Sequence, residues 1–305
     1  MNWKKLKRVF CPDDNYDWMK THASNPVPYI IDEEKGIVRI FFSCRNINNR
    51  SSVAFVDVDF NDDFKILRIA DEPVLKAGDP GYFDDDGVSV SWVIPVNGKF
   101  YLYYLGWNLR VNVPWLNTIG LAISDTIDGP FEKYQKVPIL DRSNEDPFTV
   151  SYPCVIFDQG IYRMWYGSNL GWGKEQDQMA HVIKYAESKD GINWKRTNEV
   201  HIPFVHKGEY ALSKPCVVKF PDGYKMWYSY RASEQSDRYR IGMAVSDDGY
   251  KWIRKDNEAG IDVSEEGWDS LSIEYPNVFR LNNKLYLLYN GNEYGKTGFG
   301  IAQLI

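Results

Sequence analysis

Hydrophobic and polar positions recur along the chain in a fixed order. An apolar run enters after a Ser-x-Pro or similar triplet: SNPVPYII (24–31), SVSWVIPV (89–96), SYPCVIFD (151–158), SKPCVVKF (213–220) and EYPNVFRL (274–281). A tight polar turn follows (EEKG, VNGK, DQG, PDG, LNNK). Next comes an aromatic run ending in a small residue (VRIFFS, YLYYLG, YRMWYG, YKMWYS, YLLYNG), then a third run (SVAFVDVD, IGLAISD, IKYAESKD, IGMAVSDD, FGIAQLI). Aligned on Pro26, Ser91, Pro153, Pro215 and Pro276, the units are spaced by 65, 62, 62 and 61 residues. Short runs rich in Tyr, Trp, Ile and Val, bounded by Gly, Asn and Asp, read as antiparallel strands. A fourth strand follows the S-x-D-G-x-x-W turns of SKDGINWKR (188–196) and SDDGYKWIR (246–254), and their altered form SDTIDGPFEKY (124–134). No segment shows helical periodicity.

Five units of four strands predict an all-β fold, a five-bladed β-propeller formed as a single domain by residues 1–305. The chain stops at Ile305, just after the third strand of the fifth unit. The amino-terminal LKRVF (6–10) is the spare strand, and it is predicted to complete the last blade and remove two exposed sheet edges. A pair of β-sandwiches is the competing all-β architecture, but it predicts no such period.

Loop lengths choose the working face. The first and third turns of each unit are short and regular, whereas the loops after the second strand differ every time: RNINNRS (45–51), WNLRVNVPWLN (107–117), NLGWGKEQDQMAH (169–181), RASEQSDRY (231–239) and NEYGKT (292–297). Variable loops on a rigid scaffold are where binding usually sits. They place Arg45, Trp107, Trp115, Trp172 and Arg231 around a central funnel. Aromatic faces beside charged groups suit a sugar ligand, while most strand aromatics pack between blades.

Composition narrows the partners. Of 305 residues, 44% are hydrophobic, enough for a core and too many for wholesale disorder. The net charge of −6, with no basic block, argues against a general nucleic-acid or anionic-membrane binder. No apolar stretch approaches a spanning helix. MNWKKLKRVF lacks an apolar continuation, and Cys11, Cys44, Cys154 and Cys216 form no C-x-x-C pair. Both features lead us to expect reduced thiols in a cytoplasmic protein. His22, His181, His201 and His206 lack ligand spacing, and no phosphate loop, G-x-G-x-x-G or G-x-S-x-G occurs, so neither metal nor cofactor is expected.

Positions that break the repeat are the candidates for chemistry. Two residues before the aligned site stand Ser24, Ser89, Ser151 and Ser213, then Glu274. One residue before it stand Asn25, Val90, Tyr152, Lys214 and Tyr275. Asp84, Asp146 and Asp269 recur in register and read as strand-entry caps. Asp86 has no acidic counterpart; Phe148, Tyr210 and Leu271 stand in its place. Asp86 and Glu274 therefore form the candidate catalytic pair, because glycosidic cleavage uses one carboxyl to protonate the leaving oxygen and another to activate water or attack. A funnel crowded with Asp84, Asp85, Asp86, Glu209 and Glu274 would raise one of their pKa values. Arg45, Lys214, Arg231 and His22 share the predicted rim, either as a clamp for phosphate or an acidic sugar or as counter-ions to the funnel. The substrate-binding candidates are His22, Asn25, Arg45, Trp107, Tyr152, Glu209, Lys214 and Arg231.

The strand pairs SYPCVIFDQGIYRMWYGS and SKPCVVKFPDGYKMWYSY, with their AESKDGINW and AVSDDGYKW hairpins, resemble the five-bladed propeller glycosidases. These are the arabinanase, β-xylosidase and β-fructosidase superfamily of glycoside hydrolase families 43 and 32, with the related mannoside phosphorylases of family 130. The likeness spans nearly the whole chain. It implies a first-blade Asp base or nucleophile, a second Asp, and a Glu acid on a later blade. Here Asn25 stands where that Asp would be, and Lys214 where an E-G-P-like motif would carry its Glu. Glu145–Pro147 resembles the aspartate motif of invertase-like enzymes. The expected activity is hydrolysis of a glycosidic bond by the displaced pair Asp86 and Glu274, on an oligosaccharide, glycoside or activated sugar. Two alternatives stand beside it: phosphorolysis or glycosyl transfer with phosphate held by Arg45, Lys214 and Arg231, and a propeller that binds sugar without cleaving it.

Overall fold

The computed structural model describes residues 1–172, 179–231 and 237–305. The chain opens with β1 (Trp3–Phe10) and then forms four four-stranded units. The first is β2 (Thr21–Asp32), β3 (Ile37–Arg45), β4 (Ser51–Asp59) and β5 (Lys65–Ile69). The second is β6 (Gly87–Val96), β7 (Lys99–Leu109), β8 (Trp115–Ser124) and β9 (Glu132–Lys133). The third is β10 (Val150–Asp158), β11 (Ile161–Trp172), β12 (Met179–Ser188) and β13 (Lys195–Ile202). The fourth is β14 (Ala211–Phe220), β15 (Gly223–Arg231), β16 (Arg240–Ser246) and β17 (Ile253–Arg254). β18 (Glu274–Leu281), β19 (Lys284–Asn290) and β20 (Phe299–Leu304) form a fifth unit, and β1 pairs antiparallel with β20 as its fourth strand. The innermost strands touch in the circular order β2, β6, β10, β14, β18 and back to β2. These are the five blades of a propeller, and the amino-terminal strand completes the last one as the repeat predicted.

Burial explains the sequence pattern. Strand β3 is buried from Val38 to Cys44, and β11 from Tyr162 to Asn169, because both faces of a blade are covered by its neighbours. The middle strands therefore read as unbroken apolar runs rather than as alternation. The outermost strands β9 and β17 span only two residues each, which blunts the edges they expose. The S-x-D-G turns fold on themselves. Ser188 Oγ accepts from the backbone N–H of Asp190 and Gly191, and Asp190 accepts from those of Ile192 and Asn193. Ser246 and Asp248 repeat the pattern one blade later. Gly191 has φ +74°, and its carbonyl accepts from the Tyr103 hydroxyl of the preceding blade; a Cβ there would meet that hydroxyl at 2.8 Å.

The recurring aspartates are more than caps. Asp84, Asp146 and Asp269 are buried, and each accepts a phenol O–H from the second strand of its own blade, from Tyr104, Tyr166 and Tyr289. Each also meets a cation from the fourth strand: Lys133 at 2.6 Å, Arg196 at 3.0 Å and Lys5 at 2.7 Å. Glu209 belongs to the same lattice. It pairs with Arg254 at 2.6 Å, which also meets Asp256, the acceptor for Tyr228. This corrects the expectation that Glu209 lines a sugar site: both of its oxygens are spent on Arg254, and Oε2 also takes the Val205 N–H. Strand β1 carries Lys5 in the role that β9, β13 and β17 give Lys133, Arg196 and Arg254. It also carries Trp3 against Trp227 of blade four and Phe10 against Phe42 of blade one.

Candidate functional site

The innermost strands share a local distortion. Asn25, Tyr152, Lys214 and Tyr275 occupy equivalent positions in four blades, and all have positive φ, between +39° and +57°. The pairing register slips around each of them, as it does between Ser151 and Cys154 and between Glu274 and Asn277. Such a bulge re-aims a side chain, and the left-handed conformation is costly for residues other than Gly, so packing must hold it. Two of the four, Tyr152 and Tyr275, line a cavity of about 550 Å³ to which all five blades contribute.

That cavity has an aromatic wall. Trp107 lines it with its indole N–H donated to Ser51 Oγ at 2.8 Å, and Trp115 lines it with Trp172 edge-on behind, at 5.7 Å. Tyr152, Tyr275 and Tyr239 follow in sequence, with ring centroids 5.2 and 5.8 Å apart. Burial holds these three phenols above the usual tyrosine range, so they remain O–H donors. The polar lining includes Ser151 and His181, whose buried Oγ and Nδ1 have no hydrogen-bond partner among the described residues. Burial lowers His181 to about 4, keeping the imidazole neutral at pH 7. Arg45 and Arg231 line the same cavity. Arg45 donates to Asn49 at 2.8 Å. Arg231 donates to the Asp237 carbonyl and the Tyr294 hydroxyl, and lies over the rings of Tyr210 and Tyr239.

A second cavity, about 370 Å³, shares Arg231, Tyr239 and Tyr294 with the first. Its remaining lining is charged or polar: His22, Arg238, Ser272, Glu274, Glu293 and Lys296. Glu274 is only 1% exposed, and its Oε1 has no hydrogen-bond partner among the described residues. Burial pushes its carboxyl up to about 8, opposed by the Tyr294 backbone N–H and the nearby Arg231 guanidinium. His22, half-buried beside Arg45 and Lys296, falls to about 4 through desolvation and those two cations. Asn25 is buried; its N–H donates to Asn290 Oδ1 at 2.9 Å, and its own Oδ1 has no hydrogen-bond partner among the described residues. Asn290 pairs in register with Glu274.

Several predicted groups lie elsewhere. Asp86 lines neither cavity. Its carboxylate accepts the Leu109 N–H at 2.7 Å and so fixes the start of a loop, and it is not brought together with Glu274. Lys214 is fully buried and reaches from blade four to blade two, donating to the Ser91 carbonyl at 2.9 Å and lying near Trp92. It lines neither cavity, so Arg45 and Arg231 do not converge with it on one site; its length lets it span the axis instead. Segments 173–178 and 232–236 of two predicted loops lie outside the described residues. Sequence reasoning did not select Tyr239, Tyr294 or His181 as ligand contacts. Each sits in a variable loop or at its end, which was the available signal. Among the described residues no cluster of His, Cys, Asp or Glu could hold a metal ion, and no helix is long and apolar enough to cross a membrane.

No family model matches the chain. The fold is shared with a solved glycoside hydrolase at TM-score 0.76 and 18% identity, covering 98% of this chain and 90% of that one. It is shared also, at TM-score 0.72 and 14% identity over 99% and 93% of the two chains, with a structure from work on "the GH130 family of mannoside phosphorylases", which "contains glycoside hydrolases that target beta-1,2 mannosidic linkages in Candida mannan". A stretch of 102 residues, about a third of each chain, is 30% identical to a 1,2-beta-oligomannan phosphorylase of Thermoanaerobacter sp. (strain X514). Over 304 residues the chain is 47% identical to the uncharacterized protein MT1551 of Mycobacterium tuberculosis (strain CDC 1551 / Oshkosh), and 46% identical to the uncharacterized protein Rv1502 of strain ATCC 25618 / H37Rv. All of this chain and 99% of each of theirs are covered, and the chain belongs to the family of these two mycobacterial proteins.

Proposed function

We propose that the protein cleaves a glycosidic bond at the axial cavities, with Glu274 as the proton donor. One observation carries this reading. A single buried carboxyl, in a position where the other four blades hold serine, opens on a cavity with one oxygen unpartnered among the described residues and its pKa pushed up to about 8. A carboxylic acid that keeps its proton at neutral pH is what a departing sugar oxygen requires. The aromatic wall suits the C–H faces of a sugar, and the buried hydroxyls and amides suit its O–H groups.

In the reaction the bond from the anomeric carbon to the bridging oxygen breaks, and that oxygen takes the Glu274 proton. A nucleophile oxygen forms the new bond to the anomeric carbon. With water as nucleophile, a base must remove the water proton. Among the described residues lining the two cavities, the other carboxylate is Glu293, which is ion-paired to Lys296 at 3.1 Å. Phosphate needs no such base, and its charge would be met by Arg45 and Arg231. Phosphorolysis is therefore a second reading with its own support in the cation-rich, carboxylate-poor lining of the larger cavity.

The test is a screen of aryl glycosides and β-linked oligosaccharides with and without phosphate, using Glu274→Gln as control. Turnover that the control loses supports the reading, and dependence on phosphate selects the second. Undiminished turnover by the Gln variant would remove Glu274 from the donor role.

A further inference from the structure

Two chambers of unlike chemistry meet along a wall of Arg231, Tyr239 and Tyr294. The larger is walled by Trp107, Trp115, Tyr152 and Tyr275; the smaller holds Glu274, Glu293, Arg238 and Lys296. Tyr294 lines both, and Glu274 lines only the smaller. We propose that Tyr294 is a specificity-determining residue: its side chain is a partition between the chambers, and it limits how far a bound oligosaccharide extends past Glu274. The inference rests on the glycoside-cleaving reading above.

The partition is held from three directions. Its backbone amide lies by the Glu274 carboxyl and lowers that group's pKa, its hydroxyl accepts from Arg231 Nη1 at 3.2 Å, and its ring meets Tyr239 edge-on at 6.1 Å. The backbone that carries it is unusual. Glu293 and Tyr294 both have left-handed φ, +55° and +59°, a conformation that ordinary side chains adopt only when the surroundings impose it. Here the surroundings are visible. Asn292 N–H donates to the Trp268 carbonyl, Thr297 Oγ1 donates to the same carbonyl, and Gly295 lies so close to blade one that a Cβ would meet the Ala23 carbonyl at 2.6 Å. A loop clamped at both ends presents a ring that is still 46% exposed. A rigid, half-open aromatic face at the mouth of the chamber holding the acid is placed to stack on one sugar ring and to obstruct the next.

The test is kcat/KM, with calorimetric affinity, for β-1,2-linked mannooligosaccharides of increasing length, with and without phosphate. The wild type, Tyr294→Ala, Tyr294→Phe and Tyr294→Asn are compared. Asn tolerates the left-handed backbone and keeps the comparison open if the Ala variant fails to fold. The wild-type profile is expected to fall sharply beyond a short length. The Ala and Asn variants should flatten that fall by about tenfold, the scale on which a pocket contact discriminates. Phe keeps the ring and should keep the wild-type profile. A small variant with an unchanged length profile, or a wild type indifferent to length, overturns the partition alone. A wild type that neither binds nor turns over any member of this series or of the glycoside screen above overturns the glycoside reading, and the partition with it.

Discussion

The backbone amide of Tyr294 lies by the buried carboxyl of Glu274, where it favours the charged carboxylate. This one proximity joins the left-handed loop of the fifth blade to the position at which that blade departs from the other four. It partly offsets the burial of Glu274 without cancelling it, and the group remains an acid near neutrality. The next residue in chain order, Tyr275, belongs to the aromatic wall of the larger cavity. Strand β18 thus carries the proposed proton donor and a cavity-lining ring side by side.

If Glu274 delivers the proton, cleavage should fail as pH rises through about 8, where the carboxyl loses it. The alkaline limb of kcat against pH on an oligosaccharide substrate measures this. Glu274→Gln should lower kcat by about 10²- to 10⁴-fold, the usual contribution of a positioned acid.

Stability carries the same group with a definite sign. The folded pKa lies above the unfolded value of 4.5, so between about 4.5 and 8 the native state holds a proton that the unfolded chain has released. Unfolding free energy should therefore fall with rising pH across that window. Glu274→Gln should remove this slope and be the more stable protein at pH 8. Denaturant melts at pH 5 and pH 8 give the comparison, and a parallel loss of stability in both proteins would contradict it.

Lys214 should behave as an axial strut. Burial lowers its pKa from 10.5 to about 8, so the unfolded chain binds the extra proton between those values and stability should rise with pH there. Lys214→Met removes the buried cation, should abolish that rise, and should leave ligand affinity unchanged. Arg231→Ala, by contrast, strips a guanidinium from the cavity wall and should weaken binding of any anionic or sugar ligand. Calorimetry with phosphate and with a β-linked disaccharide compares the two variants directly.

Deletion of residues 1–10 should strip the fifth blade of its outer strand. Trp3, Val9 and Phe10 are buried, and each such side chain contributes about 1.5–3 kcal/mol. The Lys5 partner of buried Asp269 is lost as well. The expected outcome is a melting temperature lowered by many degrees or an insoluble product; a soluble variant with an unchanged melt would show that β1 is dispensable.

The sequence alone determined the frame. The period near 62 residues, the strand runs, the S-x-D-G hairpins and the spare amino-terminal strand are consequences of local chemistry: β-propensity, turn residues and the need to cover edges. It also exposed Glu274, because a repeat makes a single departure visible. What only the tertiary structure decided is where the other polar groups point. Asp86 is bound to the Leu109 amide, Glu209 to Arg254 and Lys214 to the Ser91 carbonyl, although sequence position alone put all three near the axis. Tyr239, His181 and Tyr294 reach the cavities from loops whose spacing carries no period. The reason is physical: a side chain's direction depends on bulges and left-handed turns imposed by distant packing, and its charge state on how completely that packing removes water.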